Sequence, residues 1–204
     1  MLGAYENTRG DQPLPADQLT GLPTRASFIP ELNRLSGEHP GNFALVFADI
    51  DGLKATNDAY GHPAGDELLK TAAQAIQETV RHDPEERKDH VGRGVFRLSG
   101  DEFVIMLTGV NNQEEVNTAI GRVRENLLQK GIRASMGGRP HRDGEKPEEL
   151  LADVDRMMYA EKQTRKKVHK QELVESLSMP RKTAFWLGRK LLRYSGVRYN
   201  INGR

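Results

Sequence analysis

Cysteine is absent from the 204 residues, which excludes disulfides, thiolate metal sites and cysteine nucleophiles. No stretch approaches the roughly 18 apolar residues a spanning helix needs, and the mean hydropathy is −0.67. The N-terminus, Met1 to Gly10, lacks the basic-then-apolar order of a secretory signal. There is no internal repeat, no low-complexity tract and no GxxxxGK[ST] phosphate loop. Gly92-x-Gly94-x-x-Arg97 fails the dinucleotide fingerprint at its last position. The six histidines are scattered without metal-ligand spacing, so His62 reads as a structural turn residue. These absences point to a cytoplasmic chain. Its 36% hydrophobic and 29% charged residues suit one domain with a modest core, or one domain plus an appendage.

What is present is an uneven charge. The formal net charge is +1. Yet residues 162–204 carry 12 Lys and Arg against 2 Asp and Glu, while the other 161 residues carry 18 against 27. An acidic body can concentrate cations, and a basic tail can meet phosphates, an anionic membrane surface or nucleic acid.

Apolar periodicity organises the body. The spacing predicts a short helix over Ser27–Leu35, with Phe28, Leu32 and Leu35 on one side. Phe43–Ile50 (FALVFADI) reads as a buried strand running into Asp49 and Asp51. A helix is expected from Ala64, with Leu68, Leu69, Ala72, Ala73, Ile76 and Val80 inward and Asp66 and Glu67 in its first turn. The residues between, Lys54 included, read as a polar loop. Val95–Leu98 and Phe103–Thr108 form a hairpin tipped by Ser99-Gly100-Asp101-Glu102. Helix Asn112–Gln129, strand Ile132–Met136 and helix Pro147–Lys167 follow, and Met157, Met158 and Tyr159 read as core. The fold class is α+β, a single antiparallel-rich central sheet flanked by helices. The simplest arrangement satisfying this order packs the helices on one face.

Two constellations carry chemistry. The first is Asp49-Ile50-Asp51, Lys54, Asn57-Asp58, Gly61-His62 and Gly65-Asp66; the second is Arg97-Leu98-Ser99-Gly100-Asp101-Glu102-Phe103. Oxygen ligands of this kind suit hard cations such as Mg²⁺, which takes one or two carboxylates and leaves room for substrate phosphates. A strand-end aspartate facing a hairpin-tip pair suits two metals over a triphosphate. Gly100 would let backbone N–H groups approach phosphate oxygens. Any one of these acids alone would be an ordinary solvated loop residue; their order and spacing carry the signal.

At these residues the sequence resembles the GGDEF family of diguanylate cyclases, over about residues 17–168. Asp17–Arg25 (DQLTGLPTR) resembles the family's lead-in, Asp49–Asp66 its strand-end motif, and Ser99–Phe103 (SGDEF) its signature. Ser135-Met136-Gly137 and Asp155–Lys162 (DRMMYAEK) match the next strand and the last helix. The resemblance implies a polymerase-palm and nucleotide-cyclase-like fold. It implies a reaction that joins two GTP into cyclic di-GMP and releases two pyrophosphates. Each ribose 3′-hydroxyl attacks the α-phosphate of the other GTP, so two domains must face each other as a homodimer.

The resemblance also implies roles by position. Asp49 and Glu102 would ligate Mg²⁺ (or Mn²⁺) with the Ile50 carbonyl, and Asp101 would be either a metal ligand or a helper in deprotonating the 3′-hydroxyl. Asn57 and Asp66 would hydrogen-bond guanine. Lys54, Lys162 and Lys166 would contact phosphates, with Ser99 and Gly100 at the phosphate loop. Several positions depart from the family. Ser99 replaces a glycine, at a cost of about 1 kcal/mol if the position needs φ > 0. Gly52 stands where a large apolar residue is usual, Glu161 where Ala is usual, and Lys166 where Arg is usual, giving a point charge instead of a fork. His90 and Arg93 occupy the Arg and Asp positions of the product-inhibition motif, so that site is not expected.

The organisation expected is a flexible leader over 1–16, a catalytic domain over 17–170 and a basic amphipathic extension over 171–204. Family members usually carry an N-terminal sensor that pairs two domains, so either this chain is a fragment or pairing comes from elsewhere. In the extension, Phe185, Trp186, Leu187, Leu191, Leu192 and Tyr194 can form an apolar stripe beside Arg189, Lys190 and Arg193. Packing on this domain or a protein partner, a membrane surface and, least favoured, nucleic acid are its readings. Beside the cyclase stand two alternatives: a catalytically silent domain that binds GTP as a regulatory sensor or interaction module, and an adaptor acting through the tail.

Overall fold

The computed structural model describes residues 15–81 and 94–178. His90 and Arg93, the leader before residue 15 and the apolar stripe of the tail lie outside the described residues. Among the described residues nine elements follow one another: α1 Arg25–Glu38, β1 Phe43–Ile50, α2 Leu53–Tyr60, α3 His62–Arg81, β2 Gly94–Ser99, β3 Glu102–Thr108, α4 Gln113–Gln129, β4 Ala134–Pro140 and α5 Pro147–Ser178. The strands form one sheet in the order β2-β3-β1-β4, and every pairing is antiparallel.

Helices cover both faces of this sheet, not one. Alternate residues of a strand point to opposite faces. Ala44, Val46, Ala48 and Ile50 pack with α3 and α4, through Ala72, Ile76, Val116, Val123 and Leu127. Phe43 and Leu45 join Phe28, Leu32 and Leu35 of α1 and Leu150 and Val154 of α5. Burial on both sides is why β1 is apolar without alternation. The periodic side chains of α1 and α4 are buried as expected, whereas α5 departs from expectation. Met158 is core, but Met157 and Tyr159 are exposed.

Two local readings also change. The stretch after β1 is not a loop: α2 occupies it, entered through Gly52 at φ +86° and left through Gly61 at φ +83°. Only a residue without Cβ adopts such angles freely. With α3 beginning at His62, its first turn holds no acidic residue, and Asp66 lies beyond it. Helix α4 is capped by Asn112, whose side chain accepts the Glu115 N–H at 2.9 Å.

Far from the hairpin tip, β4 ends in a buried ion cluster. Arg139 donates to Glu145, both side chains only 6% exposed, and lies 2.7 Å from Asp153. The Arg139 hydrogen bond holds the Glu145 carboxyl below its usual range, against the opposing effect of burial. A depressed folded pKa means that the stabilisation is present above the unfolded value of about 4.5 and is lost as pH falls through the folded value. Glu145→Gln is therefore expected to cost about 2 kcal/mol at pH 7, since Asp153 still pairs with Arg139. It should also flatten the loss of stability below pH 4.5. Urea unfolding of both proteins across pH 3–7 checks this.

Candidate active site at the end of the sheet

The site is built where β1, the β2–β3 hairpin and α5 meet. Register places Asp49 beside Glu102 on one neighbouring strand and Ser135 on the other. Asp49, 5% exposed, points to the α5 side of the sheet. Its Oδ2 accepts from Lys162 Nζ at 2.6 Å, while its Oδ1 is buried without a partner. Burial raises the Asp49 pKa, the Lys162 hydrogen bond opposes the rise, and the charges of Asp101 and Asp51 add to it. Lys162 loses hydration on burial, but its bond to Asp49 and the carboxylates of Asp101 and Asp51 outweigh that and raise its pKa. At Asp49 burial outweighs the ammonium, whereas at Lys162 the carboxylates outweigh burial.

The hairpin tip is tighter than expected, with only Gly100 and Asp101 between the strands. Gly100 has φ +38°, and among the described residues no non-glycine residue has positive φ. The strain expected at Ser99 is therefore absent. The Ser99 hydroxyl instead donates to Glu102 Oε2 at 2.5 Å. The Ile50 N–H donates to the Asp101 carbonyl at 2.9 Å, tying the tip to the end of β1.

Asn57 sits on α2 and Asp66 on α3, and the fold brings them together. A Cβ on Gly65 would lie 1.9 Å from Asn57 Oδ1, so Asn57 rests against the residue preceding Asp66. That Oδ1 is buried and unpartnered, whereas Asp66 is exposed. Lys54 is exposed on α2, and Lys166 is exposed on α5 one turn beyond Lys162.

Arg165 escaped sequence reasoning, whereas Arg97 and Asp51 belong to the two constellations but were given no partners there. Arg97 donates through Nε and Nη2 to the Gly100 carbonyl (3.1 and 2.8 Å) and through Nη1 to Asp17 at 2.7 Å. Asp51 accepts from Ser135 at 3.2 Å and lies 3.6 Å from Arg165 Nη1. Arg165 in turn donates through Nε to Glu161 at 2.8 Å. The i, i+4 spacing of Glu161 and Arg165 was the available signal; their inward placement depends on packing.

A cleft of about 350 Å³ between α1 and α5 has Phe47, Leu98 and Phe103 among its lining and Glu102 within it. The larger cavity, about 440 Å³, lies by α3 and α4 and holds none of the candidate residues.

Fold and site together define an α+β domain: an antiparallel sheet with helices on both faces and acids gathered at one hairpin end. A sequence-family model described as "Diguanylate cyclase, GGDEF domain" matches residues 15–168, and the chain belongs to the GGDEF domain family. It is 33% identical over 125 residues to the diguanylate cyclase DosC of Escherichia coli K12, covering 59% of this chain and 25% of DosC. The chain spans a quarter or less of the length of the curated relatives it matches. Among solved structures it resembles the GGDEF domain of YfiN (TpbB) from Pseudomonas aeruginosa, with TM-score 0.62, 29% identity, and 74% and 90% of the two chains covered. It also resembles the diguanylate cyclase SiaD from the same organism, solved with its activator SiaC. There the TM-score is 0.62 and identity 27%, over 73% of this chain and 58% of SiaD. No helix of the described residues is long and apolar enough to cross a membrane.

Proposed function

We propose that this domain condenses two GTP into cyclic di-GMP. The carrying observation is Asp49: a buried carboxylate with one orphaned oxygen, beside Glu102 on the next strand and held by the ammonium of Lys162. Burying an unsatisfied carboxylate oxygen costs stability, so this one has a use that folding does not explain.

The donor set fits a hard cation. No three acidic or histidine side chains among the described residues are already gathered for a metal ion. Mg²⁺ needs only one or two carboxylates and takes substrate oxygens besides. Asp49, the Ile50 carbonyl and Glu102, with Asp101 beside them, would hold it (or Mn²⁺). The cation would neutralise charge building on the triphosphate.

The remaining work falls to the chain itself. Lys162 and Lys166 of α5 and Lys54 of α2 would offer cations to the phosphates. Gly100 leaves the hairpin backbone open to them, since nothing lies within 4 Å of where its Cβ would be. Asp66 accepts from guanine N1–H and its 2-amino group, and Asn57 adds a second polar contact; adenine has no donor at the first two positions. One domain presents one nucleotide, so two must face each other. The cytoplasm, where GTP is available, is the compartment this reading requires.

A second reading is a domain that binds GTP as a sensor without turnover. The Ser99 hydroxyl on Glu102 favours it, because that carboxylate is partly occupied. Incubating the purified chain with GTP and Mg²⁺ separates the two. Cyclic di-GMP should form at a rate that rises faster than linearly with protein concentration. GTP binding without product would favour the sensor, and a rate strictly proportional to concentration well below the measured dimerisation constant would reject the paired arrangement. An activator such as SiaC, bound to SiaD, is the kind of partner that would regulate pairing here.

A further inference from the structure

We propose that Arg165 contacts the nucleotide phosphates, supplying the forked donor that Lys166 lacks, and that Glu161 is the residue that positions it. This rests on the GTP-binding reading above and extends it to residues not expected to act.

Arg165 lies one turn beyond Lys162 on α5 and is half-buried, whereas Lys166 is exposed. Its Nε is committed to Glu161 Oε1 at 2.8 Å. Its Nη1 stands 3.6 Å from Asp51 Oδ2, beyond hydrogen-bond reach. A guanidinium has five N–H donors, and those on the two terminal nitrogens have no protein hydrogen bond described. They stand beside Asp51, whose charge acts on both Asp49 and Lys162. The fork is therefore at the edge of the acidic cluster, one helical turn from Lys162.

Glu161 is built to hold it there. Its carboxylate accepts from Arg124 Nη2 at 2.8 and 3.0 Å and from the Met136 N–H at 3.1 Å. Those bonds fix it to α4 and to β4, so the Arg165 fork is anchored to the sheet. A triphosphate carries more charge than Asp51 and presents oxygens in the geometry a guanidinium matches two at a time. It would draw the terminal nitrogens away from an ion pair that lacks a hydrogen bond.

Calorimetry on the full chain, with Mg²⁺ at constant ionic strength, tests this using GTP and inorganic tripolyphosphate. Arg165→Ala should weaken both by about tenfold, and Lys166→Ala should weaken them less. Arg165→Lys should restore only part of the loss, because a point charge does not reproduce the fork. Glu161→Gln should raise the KM for GTP with little change in kcat. The melting temperature of each variant reports any structural loss separately. Tripolyphosphate binding unchanged in Arg165→Ala overturns the proposal. If that variant does not fold, unchanged binding in Arg165→Lys does the same. If the parent chain binds neither probe, the GTP-binding reading falls and takes this one with it. Parent binding with no effect at Arg165 rejects this inference alone.

Discussion

Asp49→Asn should abolish turnover and yet leave a domain that is more stable at neutral pH. Its folded pKa lies above the ordinary aspartate value, chiefly because of burial. The folded state therefore holds the Asp49 proton more tightly than the unfolded chain does. The stability that this contributes is complete below about pH 4 and is lost as pH rises through the folded value. At pH 7 the ionised carboxylate is a net burden, and an amide removes it. Lys162, 28% exposed, can turn to solvent when its partner loses charge. The same change takes away the oxygen best placed for the cation, and loss of such charge stabilisation costs several kcal/mol in the transition state. A fall of about a thousandfold or more follows. Thermal unfolding and product formation on the same sample check both halves. Retained turnover, or a lower melting temperature, would contradict the assignment of Asp49.

Gly137→Ala should damage fold and function together. A Cβ there would stand 2.2 Å from Met158 N and 2.6 Å from the Met157 carbonyl carbon. Both are main-chain atoms of α5, so no side chain can yield and the helix must move. Overpacking of this kind costs about 3 kcal/mol. The displaced turn lies directly before Glu161 and Lys162, and misplacing a binding group by about 1 Å can cost a hundredfold in rate. Gly121→Ala is the matched control. It lies on the exposed face of α4 with nothing within 4 Å of its Cβ position, and should stabilise by about 0.5–1 kcal/mol. Urea unfolding of the pair, with cyclic di-GMP formation alongside, would falsify the steric account if both variants behaved alike.

Asp49 and Glu102 were legible in the sequence because a buried strand and a hairpin deliver them, and alternation fixes their faces once the register is known. Helix α2 was not: it is eight residues long, buries none of them fully and offers no periodic stripe. The apolar run of β1 announced burial without saying that it was two-sided. At the signature, sequence comparison drew attention to Ser99, whereas the backbone reserves positive φ for Gly100. The hydroxyl bond of Ser99 to Glu102 and the chain from Arg124 through Glu161 and Arg165 to Asp51 depend on how elements pack, which spacing along one element does not encode. Met157 and Tyr159 follow the same logic, since helical spacing put them in the core but the cover of α5 reaches only Met158.

The outer margins of the sheet have a consequence for self-association. On β2 the Arg97 N–H is already taken by the Pro23 carbonyl at 2.9 Å. On β4 the Met136 N–H is taken by Glu161 and the Gly138 carbonyl by Gln113 Nε2 at 2.9 Å. A free strand edge is a template for pairing with another chain, and at these positions its donors and acceptors are spent. Copies of this domain are thereby steered away from joining as one continuous ribbon and toward meeting through side chains. Removing the Glu161 carboxylate would reopen a rung of β4 and make the protein more prone to aggregate through that margin.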